Sequence, residues 1–148
     1  MAFRREVLAA IGGFRSDLGR IGRRPVGAEE TELGIRLIRD FPAARVVYVP
    51  GAAVRHAVPA TRGTWRYFLE RCFGEGISKA TLGRIAGARG TFSTEWRYAG
   101  LTLPMGILRG FGAVIIRRDP MGIGRAIAIV VGLSMTVAGF AVGSVRRS

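Results

Sequence analysis

Gly27-Ala28-Glu29-Glu30-Thr31-Glu32-Leu33 sets three glutamates within four positions, in a chain of 148 residues that has only ten acidic side chains and a formal charge of +13. Clustering of this kind against the compositional trend points to chemistry. A plainer explanation stands beside it, because glutamates in the first turn of a helix interact favourably with the positive end of the helix dipole. Leu33, Leu37 and Ile38 fall on one face while Arg36 and Arg39 point elsewhere, so the pattern predicts a helix over Glu29–Phe41 closed by Pro42.

Upstream of this stretch, Val7, Leu8 and Ile11 recur at helical spacing within Arg4–Ile11. Gly12-Gly13 follows where a left-handed C-cap is wanted, and Phe14 can fold back on the helix. Residues 15–28 hold glycine, proline and four arginines with little periodicity and read as a loop. Downstream, Arg45–Val49 is a short β-branched and aromatic run ended by Pro50-Gly51, and Ala53–Val58 follows as a second expected strand. Alternation in that strand puts Val54, His56 and Val58 on one face and Arg55 on the other. From Thr61 to Ala80 the residues Trp65, Phe68, Leu69, Cys72, Phe73 and Ile77 keep helical spacing opposite Arg62, Arg66, Glu70 and Lys79. Such a basic amphipathic helix has two homes, the membrane surface with its aromatic stripe in the headgroups, or the flank of its own domain.

The apolar residues are unevenly spread. A soluble α/β part occupies 1–82, a glycine-rich hinge 83–95, and a membrane region 96–148. Within the last, a span is expected over 123–143 around Ala126–Gly143, which carries no charge over 18 residues and so approaches the lower limit for crossing a bilayer. The stretch 99–116 is also apolar but is interrupted by Pro104 and Arg109; it either spans or lies at the interface. Trp96 and Tyr98 suit an aromatic belt, and Gly139-x-x-x-Gly143 suits close helix approach.

Lys79 is the single lysine, so the positive balance is arginine, dispersed along the chain. Dispersed arginine favours anionic surfaces: nucleic acid, phospholipid headgroups or nucleotide diphosphates. Nucleic acid is set aside, because no helix-turn-helix, zinc or stacking motif accompanies the charge and the apolar tail opposes it. Cys72 is alone, which excludes an internal disulfide and a cysteine metal cluster and leaves a buried thiol. The apolar run after Arg4 and Arg5 is too short for a signal peptide and is broken at Gly12-Gly13, so the chain is expected to begin in the cytosol.

The order of these features carries a resemblance. A segment Met1-Ala-Phe-Arg-Arg-Glu-Val-Leu leads to Gly-Gly-Phe at 12–14, then to the acidic motif at 27–33, then to Tyr48-Val49-Pro50 and Val54-Arg55-His56. In that order, over about residues 1–80, the chain resembles the C-terminal half of the catalytic domain of glycosyltransferase family 2. The resemblance implies an α/β fold: a partial nucleotide-diphospho-sugar transferase (A-type glycosyltransferase) fold lacking its N-terminal nucleotide-binding half and followed by membrane helices.

It also implies chemistry. Glu30 stands where the family places a catalytic aspartate that takes the proton from an acceptor hydroxyl as it attacks the anomeric carbon of a nucleotide-activated sugar, with inversion; Glu29 is its neighbour in the motif. The carboxylate of glutamate sits one methylene farther out, and misplacement of about 1 Å costs up to about 100-fold in rate. His56 matches a histidine that some family members use to complete coordination of a divalent metal, Mn or Mg, on the donor diphosphate, although a lone histidine between valines is more often structural. Arg55 beside it pairs with a donor phosphate or with a carboxylate. The implied partners are a nucleotide-diphospho-sugar donor, a lipid-linked or polysaccharide acceptor of the cell envelope, the membrane, and a separate N-terminal half. No Asp-x-Asp occurs in the chain. The expectation is therefore a truncated product, a misplaced start or one piece of a split enzyme, inactive alone, with its catalytic part on the cytoplasmic face. The alternative is a non-catalytic basic membrane-anchored protein, a decayed remnant of such an enzyme.

Overall fold

The computed structural model describes residues 2–16, 18–19, 27–87 and 98–145, and these residues form five α-helices and no strand. The expected α/β transferase fold is thereby corrected. Segments 45–49 and 53–58 are extended as their β-branched residues favour, and Pro50-Gly51 turns the chain between them, with Ala52 N–H donating to Val49 O at 3.0 Å. Yet they do not pair. Strand formation depends on a neighbour that satisfies the backbone and covers the side chains, and local propensity supplies neither. Tyr48 is 87% exposed and Val54 90%.

α1 is Arg5–Ala10 and ends as its glycines require: Gly12 and Gly13 have φ of 81° and 73°, and their N–H groups donate to Ala9 O at 3.2 Å and Leu8 O at 3.0 Å. This pair of bonds is the Schellman closure, open to glycine because it lacks a Cβ. Phe14 folds back onto Phe3, edge to face, with ring centroids 6.0 Å apart. α2 is Glu29–Asp40, and it buries Leu33 and Leu37 with Ile11 in a small core completed by Phe3, Val7, Leu8 and Ala44. Ile38 departs from the expected face and is 59% exposed. Five residues after Leu33 it has rotated about 140° around the axis, away from the core. Of the expected loop at 15–28, residues 17 and 20–26 lie outside the described residues.

A 3₁₀ turn, Ala60–Gly63, leads into α3, Trp65–Ala86, whose first turn is capped by Thr64 Oγ1 accepting from Tyr67 N–H at 3.3 Å. Of the expected hinge at 83–95, residues 83–86 complete α3, while 88–95 and Trp96 lie outside the described residues. After a π-helical turn at Tyr98–Thr102, α4 runs over Leu103–Arg117 and α5 over Met121–Val145.

α3 lies along the second half of α5, parallel to it, at backbone contact. A Cβ on Gly76 would come 2.6 Å from Phe140 N, one on Gly139 would come 2.9 Å from the Phe73 carbonyl carbon, and one on Gly143 would come 2.9 Å from Ala80 Cβ. Small residues are thus obligatory on both sides of the seam, and the expected Gly139-x-x-x-Gly143 approach is realised against α3. α4 packs antiparallel on the first half of α5, where a Cβ on Gly110 would come 2.8 Å from Gly122 O. α5, 25 residues and about 37 Å long, is long and apolar enough to cross a membrane. α4, with 15 residues, reaches only about 22 Å against a hydrocarbon core of roughly 30 Å.

Asp119 closes the turn between these two helices. Arg125 donates to its Oδ2 at 2.6 Å and the Met121 N–H to its Oδ1 at 2.9 Å, and together they hold the carboxyl below the usual carboxylate range. A depressed folded-state value means that this carboxylate supports the turn above the ordinary carboxylate pKa and loses that role as pH falls through the lowered value. An NMR titration of the Asp119 carboxyl should give a midpoint below about 3.9, and a midpoint at or above it would contradict the turn geometry. The seam has its own test. A Cβ on Gly132 would lie 2.8 Å from Phe68 Cζ and 3.3 Å from Cys72 Sγ, so Gly132→Cys, with the end of the Phe68 ring displaced, should form a disulfide with Cys72 on oxidation, seen as a mass loss of two hydrogens. Burial pushes the Cys72 thiol up, so the reaction should be slow at neutral pH and faster in alkaline buffer.

Candidate functional site

The acidic motif opens α2, and its first four residues have four different environments. Gly27 is anchored from below, its N–H donating to Ser78 Oγ on α3 at 3.0 Å. Ala28 is the N-cap, with φ 82° and ψ 3°, a left-handed conformation in a residue that carries a Cβ and no capping side chain. Such a conformation costs about 1–3 kcal/mol and persists only where its surroundings impose it. Glu29 is half-buried against Gly19, whose Cβ position lies 3.1 Å from Glu29 Cδ. Glu30 is exposed at the helix mouth. There the unpaired N–H groups of the first turn favour a negative charge, and a carboxylate open to solvent is within reach of an incoming hydroxyl.

Glu32 belongs to the same motif and does something else. It is 3% exposed, and its two oxygens accept from Arg36 Nε at 3.0 Å and from a terminal Arg36 nitrogen at 2.9 Å. The same guanidinium donates to Gly13 O at 2.8 Å and to Ile11 O. One arginine thus fastens α2 to the carbonyls that end α1. Sequence reading set Arg36 aside as pointing away from the core; the four-residue spacing from Glu32 was the available signal.

On the α3 side, the terminal nitrogens of Arg71 lie 3.6 and 3.7 Å from the Cβ position of Gly27. Glu75 pairs with both Arg71 and Lys79, each at 3.3 Å. The motif therefore faces a stripe of alternating charge in which cations predominate. Ser78, buried on this stripe, and Arg71 were both missed by sequence reasoning, because their relation to the motif is across 51 and 44 positions of chain.

Arg55 and His56 occupy the exposed extended segment and make no hydrogen bond or ion pair with described residues. The structure does not bring them to Glu29 and Glu30 through any such bond. Among the described residues no three of His, Cys, Asp and Glu gather closely enough to hold a metal ion, so they do not by themselves fit the divalent metal that the resemblance implies.

A curated protein, the glucosyl-dolichyl phosphate glucuronosyltransferase of Haloferax volcanii, is 32% identical to this chain over 82 residues, 55% of the chain and 26% of the relative. The chain spans about a quarter of that relative's length. The match is to a glycosyltransferase, which is the class that the ordered series of features over residues 1–80 suggested. No protein-family model and no solved structure matches.

The Glu32–Arg36 clamp has a direct test. Arg36→Met would keep the aliphatic stem while leaving Glu32 buried and unpaired, and should lower stability by roughly 2–4 kcal/mol in denaturant unfolding. A loss under about 0.5 kcal/mol would mean that the α1–α2 junction holds without it.

Proposed function

We propose that this chain is the acceptor-side part of a membrane-associated glycosyltransferase of the family 2 type. The observation that supports it most is the 32% identity over 82 residues to a glycosyltransferase, joined to an exposed carboxylate, Glu30, at the mouth of α2. In this reading Glu30 is the general base. It accepts the proton of the acceptor hydroxyl as that oxygen attacks the anomeric carbon of the donor sugar, and the nucleoside diphosphate leaves on the opposite face with inversion. Glu29, packed against Gly19, shapes the floor beside the base.

The relative's name specifies a glucosyl-dolichyl phosphate acceptor, and a lipid-linked acceptor suits this chain as well, because α5 is a candidate membrane span and α3 ties it to the acidic motif. The donor is a nucleotide-diphospho-sugar. Its phosphates and any divalent metal require ligands beyond those the described residues gather. In this reading the reaction takes place at the cytoplasmic face of the membrane.

Sugar transfer by the natural membrane protein decides the matter. Glu30→Gln should reduce kcat by about 100-fold or more, in keeping with loss of a general base, while Glu30→Asp should retain a measurable fraction. Wild-type turnover by Glu30→Gln would remove Glu30 from the chemistry, and absence of transfer by the wild type supplied with a nucleotide-binding half would favour a non-catalytic basic membrane protein.

A further inference from the structure

We propose that Ser78 of α3 is a positioning residue for the acidic motif: through the Gly27 N–H it holds Ala28 in the left-handed conformation that aims Glu29 and Glu30. The proposal rests on the reading of Glu30 as the base, and it adds the residue that orients it.

Ser78 is 1% exposed, and its hydroxyl is used on both sides. The Oγ donates to Gly74 O at 2.9 Å, one turn back in α3, and accepts from the Gly27 N–H at 3.0 Å. A helical serine commonly returns its proton to the carbonyl four residues earlier, and that bond alone would be a local matter. Here it fixes where the hydroxyl hydrogen goes, which leaves the oxygen lone pairs facing Gly27. The acceptor is therefore preoriented and dry.

What Ser78 holds is a strained turn. Ala28 has no side-chain cap and a φ of 82°, and the first helical bond, Glu32 N–H to Ala28 O at 2.9 Å, grips it from the other side. Glu32 is itself immobilised by Arg36. Ala28 is thus pinned between a buried hydroxyl before it and a buried ion pair after it. Release of either end lets the backbone relax toward the right-handed or extended regions and rotates the first turn of α2, which carries both candidate carboxylates. Ser78 also lies on the side of α3 away from Gly76 and Ala80, the residues in the seam with α5. The same helix turn registers the motif on one side and the apolar helix on the other.

The test uses Ser78→Ala and Ser78→Thr in the natural membrane protein, with two readouts. Amide exchange at Gly27 reports the contact without any substrate. Ser78→Ala should raise it at least tenfold, and Ser78→Thr, which retains the hydroxyl, should return it toward wild type. Steady-state transfer reports the consequence: Ser78→Ala should lower kcat about tenfold with the donor KM unchanged, and threonine should recover it. Unchanged Gly27 exchange in Ser78→Ala, or faster exchange with wild-type kcat, would overturn the assignment. If the wild type supplied with a nucleotide-binding half transfers no sugar, the enzymatic reading fails on its own, and Gly27 exchange still decides whether Ser78 holds the motif.

Discussion

Backbone-to-backbone contact between α3 and α5 is the constraint on which the remaining placements depend. Gly76 and Gly139 bring the two longest helices so close that a Cβ on either would meet the other's main chain. Dispersion contacts along such a seam are individually small but numerous, and they are lost together once the helices part. With α3 fixed against α5, its opposite side becomes the platform on which Gly27 rests, and the charges of Arg71, Glu75 and Lys79 are set beside the acidic motif.

The first helices are organised by polar contacts around a small core. Ile11, Leu33 and Leu37 supply little apolar area, and the Arg36 guanidinium, shared between Glu32 and the carbonyls of Ile11 and Gly13, fastens the junction they leave weak. Three glutamates of one motif thus divide their labour. Glu32 is structural, Glu29 is packed against a glycine, and Glu30 is open to whatever approaches the helix mouth. The strained Ala28 between platform and helix is the place where packing energy is converted into a defined direction for Glu30.

The same seam sets a condition on membrane contact. α5 has the length and composition of a span, yet α3 covers one side of its second half and carries ionised Arg71, Glu75 and Lys79 on its outer surface. A charged side chain in the bilayer centre costs about 2.5–3.5 kcal/mol on insertion scales, so placing that surface of α3 in lipid is costly. On α4 and on the faces of α5 that α3 leaves open, Leu108, Phe111, Ile127 and Val137 are exposed.

Local rules made much of this chain legible. The Gly12-Gly13 closure, the helix from Glu29, the closing Pro42 and the apolar run of α5 each follow from residues within a few positions of one another, because left-handed caps, helix dipoles and helix length are short-range properties. Only tertiary structure decided the rest. Segments 45–49 and 53–58 have the composition of strands and are not strands here, since pairing is a long-range event that composition does not supply. Ser78, Arg36 and the glycines of the α3–α5 seam acquire their roles from partners 51, 25 and about 60 positions away, and the physical reason is the same in each: a hydrogen bond or a backbone contact exists only once both partners have been brought within a few ångströms.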